Sequence, residues 1–329
     1  MFLAELRVRV CDVAATAHWY LSSLGLQVDL KQCESKSGAA ATVRFRDARS
    51  AVVTFLPGRQ AASPTRAPTR ALQQSRPGFV WIGLANFLDV ASSVALLTQR
   101  QLSPRLQGQF EDVGFVAHLR DCNGITLELL QTTFQENFLP QPLPSNILRA
   151  YPVLGQAKFN ISSPEDNLRL YRDLLGMRLL STQPVPRFGF TLYFLAFCSA
   201  QPPQSDPVSL ENREWLWQQP FTQVELQHWH TAPSVSTSQA DGPSTAQPKP
   251  LPTRISLPAE GEQGFASIVL RGPRARLLIL RERLTKAGFS VIPSASAAVN
   301  TALDEVGADV EFSTKDPDGR VVRFTVAEN

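Results

Sequence analysis

The stretch Leu154–Phe197, LGQAKFNISSPEDNLRLYRDLLGMRLLSTQPVPRFGFTLYFLAF, carries the pattern that orders the rest of the chain. Gln156 opens an apolar strand. Ser163 and Pro164 then supply a helix start, Leu168, Tyr171, Leu174 and Leu175 recur at helical spacing, and Gly176 supplies the stop. A strand over Thr191–Phe197 follows, and beyond a polar insertion FTQVELQHW places Glu225 in the middle of a last extended run. The layout is a helix crossing a small sheet.

Working outward, the first 57 residues repeat this layout. Leu6, Val8 and Val10 alternate on a strand, Asp12 caps the next helix, and Trp19, Tyr20, Leu21 and Leu24 give that helix an apolar side before Gly25. Tyr20 and Tyr171, like Gly25 and Gly176, are 151 residues apart. The same interval carries Gln156 back to Glu5. Segments near Ala41–Phe45 and Ala51–Leu56 complete the unit, with Thr54 in the place of Glu225. A second kind of unit begins at GFVWIGL, continues through a helix bearing Val90, Val94, Leu96 and Leu97, and ends in VGFVAHLRDCNGITLELLQ. That ending is a hairpin with its turn at Asp121–Gly124 and with Glu128 between leucines. The fourth unit starts at GFASIVL, has a Leu- and Arg-rich helix from Pro273 to Ala287, and closes with DVEFSTKDPDGRVVRFTV.

The modules therefore fall near 1–57, 78–131, 154–229 and 264–326 in an ABAB order. The expected division is an N-terminal half over 1–131, a linker over 132–153 and a C-terminal half over 154–329. Residues 57–77, rich in Pro, Arg, Ser and Ala, read as a loop, and Thr231–Pro252 as a flexible segment.

Bulk composition narrows the function. A chain of 329 residues with 43% apolar and 19% charged residues reads as soluble and globular. Its net charge of +3, without basic blocks interleaved with aromatics, argues against a nucleic-acid partner. No apolar run reaches membrane-span length and the first residues lack a signal-peptide pattern, so no membrane partner and a cytoplasmic location are expected. Cys11, Cys33, Cys122 and Cys198 are scattered and read as reduced thiols.

The motifs GQ at Gly155 and Gln156, LYRDLLGM at Leu170–Met177, FTLYFLAF at Phe190–Phe197 and VEL at Val224–Leu226 resemble glyoxalase I, the lactoylglutathione lyase of the vicinal oxygen chelate superfamily. The resemblance implies an α+β fold in which four βαβββ modules pair into two cups. It also implies a divalent metal, Ni, Zn, Co or Mn, held by a Gln or His and a Glu from one module and a His and a Glu from another. Glutathione is the implied cosubstrate. On that pattern Gln156, Glu225 and Glu128 are metal ligands, Glu128 and Glu225 move the proton, and Trp81, Asn160, Phe190 and Phe194 line the substrate pocket.

The fourth module departs from the pattern. Ser267 replaces the expected His and Arg323 the expected Glu, and an Arg repels a metal. If modules pair first with second and third with fourth, each cup is incomplete. If the second pairs with the third, Gln156, Glu225 and Glu128 meet beside Trp81, and the remaining cup holds Glu5, Arg9, Thr54, Ser267 and Arg323. That second set reads as an ion pair or an organic-anion pocket. Both pairings stay open, in a monomer or a homodimer. His18 reads as surface or core filling, and His118 as a solvent or turn contact. His228 and His230 lie on the strand side opposite Glu225.

Two functions are therefore expected to compete. One is a glyoxalase I-like lyase converting a 2-oxoaldehyde–thiol hemithioacetal by metal-assisted proton transfer. The alternative is a catalytically degenerate relative binding a small organic ligand. A ring-cleaving dioxygenase fits less well, because its iron site needs two His and a carboxylate.

Overall fold

The computed structural model describes residues 1–31, 39–59, 79–230, 262–293 and 310–327. The segment Thr231–Pro252, most of the 57–77 loop and Cys33 lie outside the described residues.

Four modules follow one another. The first comprises β1 (Phe2–Val10), α1 (Val13–Leu24), β2 (Gln27–Lys31), β3 (Ala40–Arg44) and β4 (Val52–Pro57). The second comprises β5 (Phe79–Phe87), α2 (Val90–Gln99), β6 (Arg105–Phe110), β7 (Gly114–Arg120) and β8 (Thr126–Gln131). In the third, β9 (Val153–Ile161) leads to α3 (Pro164–Leu168), β10 (Arg178–Val185), β11 (Phe190–Ala196) and β12 (Gln223–Trp229). The insertion before β12 folds into α4 (Glu211–Leu216). The fourth is β13 (Gly264–Gly272), α5 (Arg274–Lys286), β14 (Val291–Pro293), β15 (Val310–Lys315) and β16 (Val321–Val326).

The helix starts follow from their caps. Asp12 Oδ1 accepts from the Ala15 N–H at 2.8 Å, and Gly25 ends α1 with φ +67°, a conformation that suits glycine. Asp89 and Ser163 cap α2 and α3 in the same way. Two local details differ from the periodicity. Leu21 is exposed rather than inward. The third helix does not run regularly to Leu175: after Leu168 it widens into a π turn over Arg169–Leu174, closed by the Leu175 N–H donating to the Leu170 carbonyl at 2.9 Å. The extra residue in the turn brings both Leu170 and Tyr171 into the core.

Within each module the first strand pairs in parallel with the last, which leaves its other edge open. An open edge is a row of unpaired backbone groups that must find a partner. The partners are the first strands of other modules: β5 pairs antiparallel with β9, and β1 with β13. The result is two eight-stranded sheets, ordered β14, β15, β16, β13, β1, β4, β3, β2 and β10, β11, β12, β9, β5, β8, β7, β6. Of the two pairings open from sequence, this is the exchanged one. Each sheet draws one module from each half of the chain, so 1–131 and 154–329 are sequence repeats whose strands are shared between sheets.

The helix-bearing faces of both sheets contribute to one core, including Leu6, Val8, Ile268 and Leu270 from one and Ile82, Leu84, Ala157 and Phe159 from the other. Phe159 and Phe265 meet across it edge to face at 5.2 Å. Two equivalent hydrogen bonds fix the arrangement. Tyr20 of the first module donates to Asp121 Oδ2 in the turn of the second at 3.1 Å, and Tyr171 of the third donates to Asp316 Oδ2 in the turn of the fourth at 3.0 Å. Arg320 completes the latter, giving Nε to Asp316 at 2.7 Å and Nη2 to Asp318 at 2.9 Å, all buried. A smaller cluster, with Ala85, Val116, Leu130, Leu192, Phe194 and Trp217, fills the opposite face of the second-and-third-module sheet.

Tyr171→Phe removes one donor from a fully buried carboxylate without changing shape, and is expected to cost about 1–3 kcal/mol. Urea unfolding should show a lower midpoint at unchanged slope.

Candidate functional site

The exchanged pairing lines up the inner face of one sheet. Gln223 and Gln156 are cross-strand partners, Gln156 pairs with Gly83, Gly83 with Glu128, and Glu128 with His118. One row over, Phe194 pairs with Glu225, Glu225 with Lys158, and Lys158 with Trp81. The expected residues Gln156, Glu225, Glu128 and Trp81 are thus brought to one face by strands from two modules.

Gln156 Nε2 donates to Glu128 Oε2 at 2.7 Å. This reach across β5 depends on Gly83. A Cβ there would lie 2.3 Å from Gln156 Cγ and 2.8 Å from its Cδ, so a side chain would evict the glutamine. Glu128 is buried, not turned to solvent as a strand carboxylate between leucines can be, and its Oε1 is 3.0 Å from His118 Nε2. His118, expected to make a solvent or turn contact, stays part-exposed and has Glu128 as a partner besides. Alternation places it on the inner face with Val116, two residues before it.

Lys158 is the residue that sequence reading missed. Only 5% exposed, its Nζ lies 3.0 Å from Glu225 Oε1 and 4.4 Å from the centre of the Trp81 ring. The contact with Glu225 is a charge pair outside hydrogen-bond geometry, so among the described residues neither Glu225 oxygen receives a well-aligned hydrogen bond. Among the described residues the Oε1 atoms of Gln156, Gln183 and Gln223 are likewise buried without donors. Two signals for Lys158 were present. It is two residues from Gln156 and so shares its face, and Arg7, 151 residues earlier, repeats a basic residue at the matching position.

The two carboxylates are driven apart. Burial pushes Glu225 up to about 7, with the Glu128 charge adding to the effect and Lys158 opposing it. Burial also raises Glu128, but the His118 hydrogen bond, the charges of Lys158 and His118 and the Gln156 amide outweigh it, leaving Glu128 below its ordinary value. One carboxylate is therefore ionised and the other is a proton acceptor near neutrality.

The remaining expected pocket residues serve as walls. Phe194 packs on Trp217 at 5.3 Å, and Phe190 packs on Trp229 at 4.9 Å. Asn160 Oδ1 accepts from Trp229 Nε1 at 3.2 Å. His230 Nε2 is 2.8 Å from Thr191 Oγ1, and His228 stacks edge-on against His230 at 5.2 Å. Trp217, in the insertion, donates from Nε1 to the Val113 carbonyl at 2.9 Å and so ties the insertion to the second module.

A divalent metal does not fit this donor set. The position between Glu225 and Trp81 already holds an ammonium. Two unit positive charges ~4 Å apart repel by about 4 kcal/mol at an effective dielectric of ~20, and a divalent ion doubles that. Among the described residues no group of three or more His, Cys, Asp or Glu is arranged to hold a metal.

No family model and no curated protein matches the sequence. Solved structures do. Glyoxalase I from Zea mays superposes with a TM-score of 0.62 at 16% identity, covering 99% of this chain and 92% of that one. A putative dioxygenase from Bacillus subtilis superposes with a TM-score of 0.60 at 9% identity, covering 100% of this chain and 86% of that one. The chain has the vicinal-oxygen-chelate type of fold, an α+β architecture of paired βαβββ cups. At these identities the likeness establishes the fold alone. Among the described residues no helix is long and apolar enough to cross a membrane.

The raised Glu225 makes stability pH-dependent. The folded chain keeps a proton on Glu225 up to about pH 7, whereas an unfolded chain releases it near 4.5, so this group's contribution falls as pH rises through that window. Glu225→Gln removes the effect. Relative to wild type, the variant should gain about 3 kcal/mol between pH 4 and pH 8, measured from urea midpoints at each pH.

Proposed function

We propose that the cup of the second and third modules is a metal-free binding site for a small organic ligand, in which the Lys158 ammonium supplies the positive charge that an ion would otherwise supply. The observation that carries this reading is the buried Lys158 between Glu225 and the Trp81 ring. The ligand chemistry follows from the lining. The floor offers oxygen acceptors without donors on Gln156, Gln183, Gln223 and Glu225, which select a ligand rich in N–H or O–H groups. Trp81 and His118, whose rings meet at 4.6 Å and which are part-exposed, form the rim through which it enters. Glu225, poised near neutrality, accepts a ligand proton there. A glutathione carboxylate finds no basic partner at Asn160, whose Oδ1 is engaged by Trp229.

One observation favours the lyase reading as a second: Gln156 and Glu128 do meet, and Glu225 lies on the neighbouring row of the same face. The two readings separate in a single preparation. Protein produced with added Ni, Zn, Co and Mn is assayed for bound metal and for hemithioacetal isomerisation. The proposal expects metal well below one equivalent and no isomerisation, together with metal uptake gained on Lys158→Ala. One equivalent of metal in the wild type, with isomerisation abolished by Glu128→Gln, would establish the lyase instead.

A further inference from the structure

The inner face of the first-and-fourth-module sheet is occupied by its own side chains. Arg7, 4% exposed, donates Nη2 to Glu5 Oε2 at 3.2 Å, with Thr54 and Ser267 as its cross-strand neighbours. Arg323 stands opposite Val269 on the next strand, and Arg9 turns to the rim, donating to the Pro57 carbonyl at 3.3 Å. The outward-facing charge of these modules sits elsewhere, on α5. Its sequence, RARLLILRERLTK, sets four arginines and a lysine against the single Glu282, a formal charge of +4. The whole chain carries +3, so the remainder of the molecule is slightly acidic. α1 and α2, which hold the same place in their modules, contain no Asp, Glu, Lys or Arg. Covering the sheet therefore does not require this charge.

Helical spacing sorts the side chains of α5 into stripes. Leu277, Leu280 and Leu284 are buried against the sheet. Arg274 and Arg281 border them on one side, Arg276 and Arg283 on the other. The outermost stripe carries Leu278 and Ile279, 43% and 61% exposed, with Lys286 at its end. One exposed aliphatic residue is ordinary, but two together on the crest of a helix, bordered on both sides by arginines, form a patch of defined chemistry. Neighbouring charge reinforces that patch. Arg169 of the third module donates to the Ala287 carbonyl at 3.2 Å, beside the end of α5. Arg283 donates to the Asp173 carbonyl at 2.9 Å, while the Asp173 carboxylate is taken by Arg172 at 2.6 Å. Among the described residues Arg276, Arg281 and Lys286 have no salt-bridge partner. Arg281, Thr285 and Lys286, with Glu282, Val291 and Pro293, also line a shallow hollow of about 360 Å³ beside the helix.

We propose that α5 attaches the protein to an anionic lipid bilayer, lying in the headgroup plane with Leu278 and Ile279 inserted and its cations on lipid phosphates. The outside of a helix is convex and holds these apolar residues at its highest point, which suits a soft headgroup layer. Duplex nucleic acid would engage the arginines through its phosphates but offers nothing to Leu278 and Ile279. The hollow bordered by Arg281 and Lys286 is the place for one phosphate headgroup. The absence of a spanning run bears on crossing a bilayer, whereas a helix that lies at its surface needs none. This surface is independent of the ligand chemistry of either cup.

Co-sedimentation of the full chain with vesicles tests this, using phosphatidylcholine alone and phosphatidylcholine mixed with about one-third phosphatidylserine. Binding is expected to the mixed vesicles only, and to weaken as salt is raised. Leu278→Ser combined with Ile279→Ser should lower the partition constant about tenfold or more, and Arg281→Gln about fivefold. All three sites are exposed, so urea midpoints should not move. Leu21→Ser, at a residue 54% exposed on the uncharged α1, should leave binding unchanged. No binding to the mixed vesicles would overturn the proposal, as would equal binding to both kinds or an equal loss in Leu21→Ser. Retention on duplex DNA but not on mixed vesicles, unaffected by the double serine variant, would assign the helix to nucleic acid instead.

Discussion

The open edge of a βαβββ module governs this molecule. Each first strand is satisfied on one side by its own module's last strand and exposes backbone donors and acceptors on the other. Pairing β5 with β9 and β1 with β13 removes every such edge, and everything of functional interest depends on that choice. It brings Gln156 across to Glu128 and sets Lys158 beside Trp81. The Tyr20–Asp121 and Tyr171–Asp316 hydrogen bonds then hold the two sheets together, each joining the helix of one module to the turn of its sequence neighbour in the other sheet.

Both cups answer the same electrostatic problem with a side chain. At matching positions in the repeat, Lys158 and Arg7 place a buried cation against a buried carboxylate, Glu225 in one case and Glu5 in the other. A buried carboxylate needs a compensating charge. The solutions then diverge. Among the described residues, lysine leaves several acceptors unpartnered around it, while arginine donates one hydrogen bond from Nη2 to Glu5 Oε2 and its Nε makes only a charge contact with Oε1.

Much of this was readable in the chain. Helical spacing, the Asp12 and Ser163 caps and the 151-residue interval between Tyr20 and Tyr171 identified the modules and their order. The resemblance singled out Gln156, Glu225 and Glu128 together, and the exchanged pairing brings their strands into one sheet. The choice between pairings was not legible, because an edge strand carries no local mark of its partner. Nor was the centre of the site. Lys158 was passed over because the resemblance directs attention to ligand types, whereas a buried lysine is recognised only by what surrounds it. The partner of His118 was not legible for a related reason: Glu128 is ten residues away in sequence and directly across the hairpin. The π turn at Arg169–Leu174 also escaped, since one extra residue in a turn shifts the phase too little to register against an apolar pattern.

The strand exchange also sets how far apart in the chain the paired strands lie. The second and third modules are adjacent in the chain, so β9 begins 66 residues after β5 ends, whereas β13 begins 254 residues after β1 ends. The two pairings are nested, like one pair of brackets inside another. During synthesis the inner sheet can close while the first module still carries an open edge and an uncovered apolar helix face. The cup containing Lys158 draws on the two inner modules of the chain, and the arginine-bearing cup on the two outer ones.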